Sequence, residues 1–117
     1  MKGDDIAERL LDLGARVMNL AESLPKTMSG KHVAAQILRC GTSAGANYEE
    51  ARGGQSRADF VHKLGIAWRE TRETCYWVRL IKRAKLVRPE RLDKLLQEGQ
   101  ELSSILGKSM STAKQVN

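Results

Sequence analysis

The sequence predicts an all-α protein, an up-down-up-down antiparallel bundle of four helices forming a single domain over residues 1–117. Three observations carry that expectation. Ala, Leu, Glu, Lys and Arg, all good helix formers, fill long runs, while the β-branched residues are scattered rather than clustered. Apolar residues recur three and four apart in four successive segments. Pro25, Pro89 and the pair Gly53 and Gly54 punctuate those segments. Each segment would span about 30 to 40 Å as helix, and short connections make sequence neighbours antiparallel.

The first helix is expected over residues 4–24. Ile6, Leu10, Leu13, Val17, Leu20 and Leu24 form one stripe. Asp4, Asp5 and Glu8 complement its positive end, and Pro25 closes it because a proline inside would delete a backbone donor. The second helix, 29–52, carries Val33, Ile37, Cys40, Ala44, Asn47 and Ala51, and the glycines at 53 and 54 suit a left-handed C-terminal cap. Ser56 with Asp59 three residues on then starts the third helix, 57–84, along Phe60, Leu64, Ala67, Thr71, Thr74 and Val78. Pro89 opens the fourth, 89–107, with Leu92, Leu95, Leu96, Leu102, Ile105 and Leu106. Residues 108–117 lose the pattern and are expected to fray.

The run GTSAGANYEEARGG, Gly41 to Gly54, has few side chains in its first half. Glycine inside a helix costs about 1 kcal/mol relative to alanine, so Gly41, Ala44 and Gly45 are read as a close helix contact. A phosphate-binding loop is disfavoured: GTSAGA has no Walker lysine and follows no strand.

The segment SAGANYEEARGGQSRADFVHKLGIAWRETRETCYWVRL resembles the four-helix-bundle proteins encoded by intervening sequences in bacterial 23S ribosomal RNA genes. The matching positions are Gly45, Ala46, Asn47, Glu50, Gly53, Ser56, Asp59, Phe60, Ile66, Ala67 and Glu73. The resemblance implies a four-helix bundle, often a ring of five, hence a homo-oligomer and by analogy a pentamer, with no established catalysis. The accessory proteins of diversity-generating retroelements form a related branch, which is basic and works with a reverse transcriptase and its RNA. RNA or DNA, or such an enzyme, is the partner class this branch implies.

Charge points the same way. The net charge is +6, and Arg79, Lys82, Arg83, Lys85, Arg88, Arg91 and Lys94 face only Glu90 and Asp93 in their stretch. In an up-down bundle that turn shares an end with Lys26 and Lys31. Helix-dipole compensation needs only a few cations, and phosphate backbones are the commonest partner for such a surface. The expected nucleic-acid contacts are Lys26, Lys31, Arg79, Lys82, Arg83, Lys85, Arg88 and Arg91. Aromatic residues make up only 4% of the chain, so an RNA-binding sheet with stacking platforms is not expected.

A helical wheel places Ile66, Trp77, Leu80 and Ala84 away from the third helix's main stripe, and an exposed second apolar face marks an oligomer interface, although a wide buried face on a central helix looks similar. Asn47, Glu50 and Glu73 are read as a structural polar network that fixes register. A metal site is disfavoured because no Glu-x-x-His occurs, and Asp59 with His62 provides that spacing only once. Acid-base catalysis by Glu70, Glu73, Glu50 and Asp59 is the rival reading, without a nucleophile beside them. Hence no catalytic residue, metal or cofactor is expected. The start of the chain lacks the continuous apolar run of a signal peptide, so a cytoplasmic protein without membrane contact is expected. Cys40 and Cys75 are the only cysteines. With a turn centred near Gly54, Cys40 falls level with Trp68 and Cys75 about 10 Å further along, beyond disulfide reach.

Overall fold

Pro25 ends the first helix, α1 (Lys2–Ser23), in the computed structural model, which describes residues 2–115. Helix α2 (Met28–Arg52) starts at Thr27, whose hydroxyl oxygen accepts the Gly30 N–H at 3.1 Å. Helix α3 (Arg57–Arg83) starts as expected at Ser56, whose side chain accepts the Asp59 N–H at 3.1 Å. Pro89 does not begin the last helix directly. It opens a 3-10 turn, Pro89–Arg91, in which the Leu92 N–H returns to the Pro89 carbonyl, and α4 runs from Asp93 to Gln115.

Successive helices pack against each other, and α4 returns to α1, so the four close into a bundle 48 × 21 × 21 Å in extent. The whole α1 stripe, Ile6, Leu10, Leu13, Val17, Leu20 and Leu24, is buried, with Ile37, Leu64, Val78, Ile81, Leu102 and Leu106 facing it from the other helices. The thinnest seam, α1 to α4, is clasped by Arg9, which donates to both carboxylate oxygens of Glu98 at 2.9 and 2.8 Å and to Glu101 at 2.8 Å. Those hydrogen bonds raise the Arg9 pKa and hold the Glu98 carboxyl below its ordinary value.

The tail does not fray at residue 108. α4 continues to Gln115 because Met110 packs against the core and Ala113 is buried, keeping the period of Leu102 and Leu106. Residues 116 and 117 of that expected tail lie outside the described residues. The helix has room to lie close to α3 because large side chains of one meet glycines of the other. A Cβ on Gly99 would stand 2.9 Å from the Cys75 sulfur, one on Gly107 3.0 Å from the Trp68 indole nitrogen, and one on Gly65 3.3 Å from the Met110 sulfur.

The small residues of α2 do make a close contact, at a different place from the expected one. A Cβ on Gly41 would meet Val17 at 2.6 Å, whereas one on Gly45 would find Leu10 at an ordinary 3.5 Å. Gly41 and Ala44 are buried, while Gly45 sits half-buried at the edge of the seam.

Two turn expectations are corrected. Gly53 caps α2 with φ −90°, and no described glycine has positive φ. The left-handed cap occurs instead at Lys85, φ 58°, after α3. There the Leu86 N–H reaches the Ile81 carbonyl and the Lys85 N–H the Lys82 carbonyl, the paired bonds of a Schellman motif.

The α2–α3 register also shifts. Cys40 is level with Thr74, at 3.3 Å from hydroxyl to sulfur, and not with Trp68. Pairing therefore centres beyond Ser56, because the turn residues and the cap take up length that a turn at Gly54 would not. Both cysteines are free, as expected. The axial separation argued from sequence is not what keeps them apart: Cys40 is buried among α2 and α3 residues, while Cys75 points at Gly99 of α4.

Candidate functional site

The ends of α1 and α3 and the starts of α2 and α4 meet at one end of the bundle. The α3 C-terminus, the left-handed Lys85 and the Pro89 turn wrap an open groove of about 820 Å³ there. Arg79, Lys82, Arg83, Lys85 and Arg88 line it together with Val87, Pro89 and Leu96. So five of the eight expected contact residues converge on one concavity with an apolar floor. Lys26 and Lys31 stand at the same end, in the α1–α2 turn and the first turn of α2, and Arg91 lies in the 3-10 turn; none of the three lines the groove.

The cations of this end differ from those elsewhere. Arg9, Arg39 and Arg52 are each held by carboxylates: Arg9 by Glu98 and Glu101, Arg39 by Glu70 and Glu73, Arg52 by Asp4 and Glu49. Of the groove's five cations only Lys82 has an ion pair among the described residues, with Asp93 at 2.8 Å. Arg79, Arg83, Lys85 and Arg88 present charge to solvent at low mutual distance, an arrangement that repels itself unless an anion or counterions occupy it.

The remaining candidate residues do not assemble as one site. Asn47 donates to the Ser43 carbonyl and hydroxyl, both at 2.9 Å; Glu50 pairs with Lys63 at 2.8 Å; and Glu73 accepts from Arg39 and from the Trp77 indole at 2.9 Å. The expected joint network of Asn47, Glu50 and Glu73 is therefore three local contacts, since Asn47 turns back on its own helix and the two glutamates lie at different heights of α2 and α3. Trp77 and Leu80 are half-buried against the core of their own bundle, with His32 edge-on to Trp77 at 6.0 Å. The expected exposed tryptophan is corrected by the wide buried face that α3 needs between α2 and α4. Ile66 is half-buried and Ala84 exposed.

Glu70 and Glu73 both engage Arg39, and Glu50 and Asp59 lie near the far turn, so the four acids of the enzymatic reading are split between two places. No cluster of three or more metal-ligating side chains occurs among the described residues. No described helix is long and apolar enough to cross a membrane.

Residues 4–108 match the family of 23S rRNA-intervening sequence proteins. The chain belongs to that family. A crystal structure from Bacteroides thetaiotaomicron, of a protein of unknown function in the S23 ribosomal protein family, superposes on this bundle with a TM-score of 0.86. It is 35% identical, over 95% of this chain and 99% of its own. No curated protein matches the sequence. For this member of the intervening-sequence family, the fold and its helix order thus agree with the resemblance read from residues 43–80. The groove at the basic end was not visible in the sequence, because its floor of Val87, Pro89 and Leu96 depends on how the α3–α4 turn folds back.

Proposed function

We propose that this chain is a cytoplasmic, non-enzymatic, self-assembling module whose basic end binds nucleic acid through its phosphates. The observation that carries the reading is the convergence of Arg79, Arg83, Lys85 and Arg88 on one groove without carboxylate partners among the described residues. Each is long enough to follow a phosphate backbone, and three of them are separated by turns of chain that set them along, rather than across, the groove's rim. RNA or DNA, alone or held by a nucleic-acid enzyme such as a reverse transcriptase, is the ligand class. Lys85 supports the reading independently. A lysine in the left-handed conformation forgoes the glycine that such a cap usually takes, and places an ammonium on the groove instead.

The test is titration of structured RNA and duplex DNA at several salt concentrations. Phosphate contacts release counterions, so the log-log slope should be about −0.7 to −0.9 per phosphate contacted, with little dependence on sequence. An Arg83→Glu, Lys85→Glu, Arg88→Glu chain of unchanged helicity and oligomeric state should lose binding. Absence of binding by the wild type at low salt, or equal binding by the triple variant, overturns the reading and leaves a protein-binding scaffold.

A further inference from the structure

The described residues leave five large apolar side chains exposed, and four of them, Leu11, Met18, Met28 and Leu38, belong to α1 and α2. Leu11 (66% exposed) and Met18 (51%) are seven residues apart and border a trough of about 430 Å³ along the α1–α2 seam. Gly14, Ala15, Gly45 and Ala46 form its small-residue floor, with Asp12 and Glu49 on the rim. Leu38 continues the apolar strip along α2. The trough is thus apolar with an acidic edge.

The fifth exposed side chain is Tyr76, 54% exposed, on α3. It stands in a ridge with Arg69, Arg72 and Arg79. None of these arginines has an ion pair among the described residues, and Arg72 lies over the Trp68 ring at 5.0 Å. Since α1 packs on α2 and α4, and α3 on α2 and α4, the trough and the ridge lie on opposite sides of the bundle. They also lie at one height. Gly14 is level with Gly41, and Cys40 with Thr74, which puts Met18 across from the level of Tyr76 and Asp12 across from that of Arg69.

We propose that the trough receives Tyr76 of a second copy of this chain, its ring beside Met18 and Leu11, with Arg69 of that copy at Asp12. The charges are complementary, one face acidic and the other basic, and neither face complements itself. The contact is therefore head-to-tail. Such contacts generate open filaments when each step carries an axial displacement and closed rings when it does not. Here trough and ridge share a height and α1 and α3 run in the same direction, so the ring closes with the bundles parallel. Every basic end then faces the same side, and binding there gains from effective concentration. The assignment rests on the self-assembly part of the reading above, not on its nucleic-acid part.

The experiment is light scattering of Leu11→Glu/Met18→Glu and of Tyr76→Glu, each checked for helicity and cooperative melting. These side chains are exposed in the protomer, so folding should survive. Wild type should run as a multiple of the protomer mass and each variant as a monomer. A mixture of the two variants should give a heterodimer and nothing larger, because only one intact trough and one intact ridge can meet. Asp12→Arg and Arg69→Asp should each weaken assembly at least tenfold in concentration, and the chain carrying both should recover it. A monomeric wild type overturns self-assembly and this assignment together. An assembled wild type with unaffected variants, or a mixture that stays monomeric, overturns the assignment alone.

Discussion

The hydroxyl of Thr74 lies 3.3 Å from the sulfur of Cys40 and 2.8 Å from the Glu70 carbonyl, in a region that is buried on every side. This one contact fixes the level at which α2 and α3 meet. It also sets the chemistry of the thiol: burial pushes Cys40 up to about 11, against a smaller opposing effect of the Thr74 hydrogen bond.

Native thiol labelling should follow from that. At pH 8 a thiol titrating near 11 carries roughly a hundredfold less thiolate than an exposed cysteine, and access is closed besides. Cys40 should react with an aromatic disulfide reagent only as fast as the protein opens, and Cys75, also raised by burial, should react slowly. Stoichiometric labelling within seconds under native conditions would contradict the register.

The glycines of α2 should separate by context. Gly41→Ala is expected to destabilise by about 1 to 3 kcal/mol, because its Cβ would fall within 3 Å of three Val17 atoms and Val17 is fully buried. Gly45→Ala should be neutral to stabilising by up to about 1 kcal/mol, since its Cβ has ordinary room and helix propensity improves. Urea unfolding of both variants decides the matter.

How far the sequence carried this bundle depends on what each feature needs. The α1 stripe and the Ser56 cap are local, and both were legible. The period of α4 was also legible to its end, since Leu102, Leu106, Met110 and Ala113 keep three- and four-residue steps; the serines and threonine between them obscured it. Register was not legible, because it depends on the geometry of the turn before Ser56. Nor was the burial of Trp77, since a wheel gives the direction of a side chain but not how much of a central helix its neighbours cover. The Arg9 clasp on Glu98 joins residues at opposite ends of the chain and left no sequence signal. Of the candidate site, the cations were legible and their groove was not.

That clasp gives stability a pH dependence. The folded Glu98 pKa is lowered, first by the hydrogen bond from Arg9, so the group contributes stability that is fully present above the unfolded glutamate value near 4.3 and is lost as pH falls through the lower folded value. Glu98→Gln should cost about 1 kcal/mol between pH 5 and 7, and the gap from wild type should close below about pH 3. Thermal melts across that range provide the check, and a gap independent of pH would show that the pair contributes no charge term.

Lys85 offers a test in which stability and binding should move in opposite directions. Its left-handed conformation is disfavoured for a residue with a Cβ by about 1 kcal/mol, and glycine at this Schellman position removes that cost while keeping the bonds from Leu86 to Ile81 and from Lys85 to Lys82, which use the backbone alone. Lys85→Gly should therefore raise stability by up to about 1 kcal/mol, offset in part by glycine's greater freedom in the unfolded chain. The same change removes one cation from the groove. If that ammonium meets a phosphate, the log-log salt slope for RNA or DNA should become shallower by about 0.7 to 0.9, with affinity lower at every salt concentration. A purely structural role for the residue predicts the stability gain with an unchanged slope, whereas a phosphate contact predicts both shifts in a single variant.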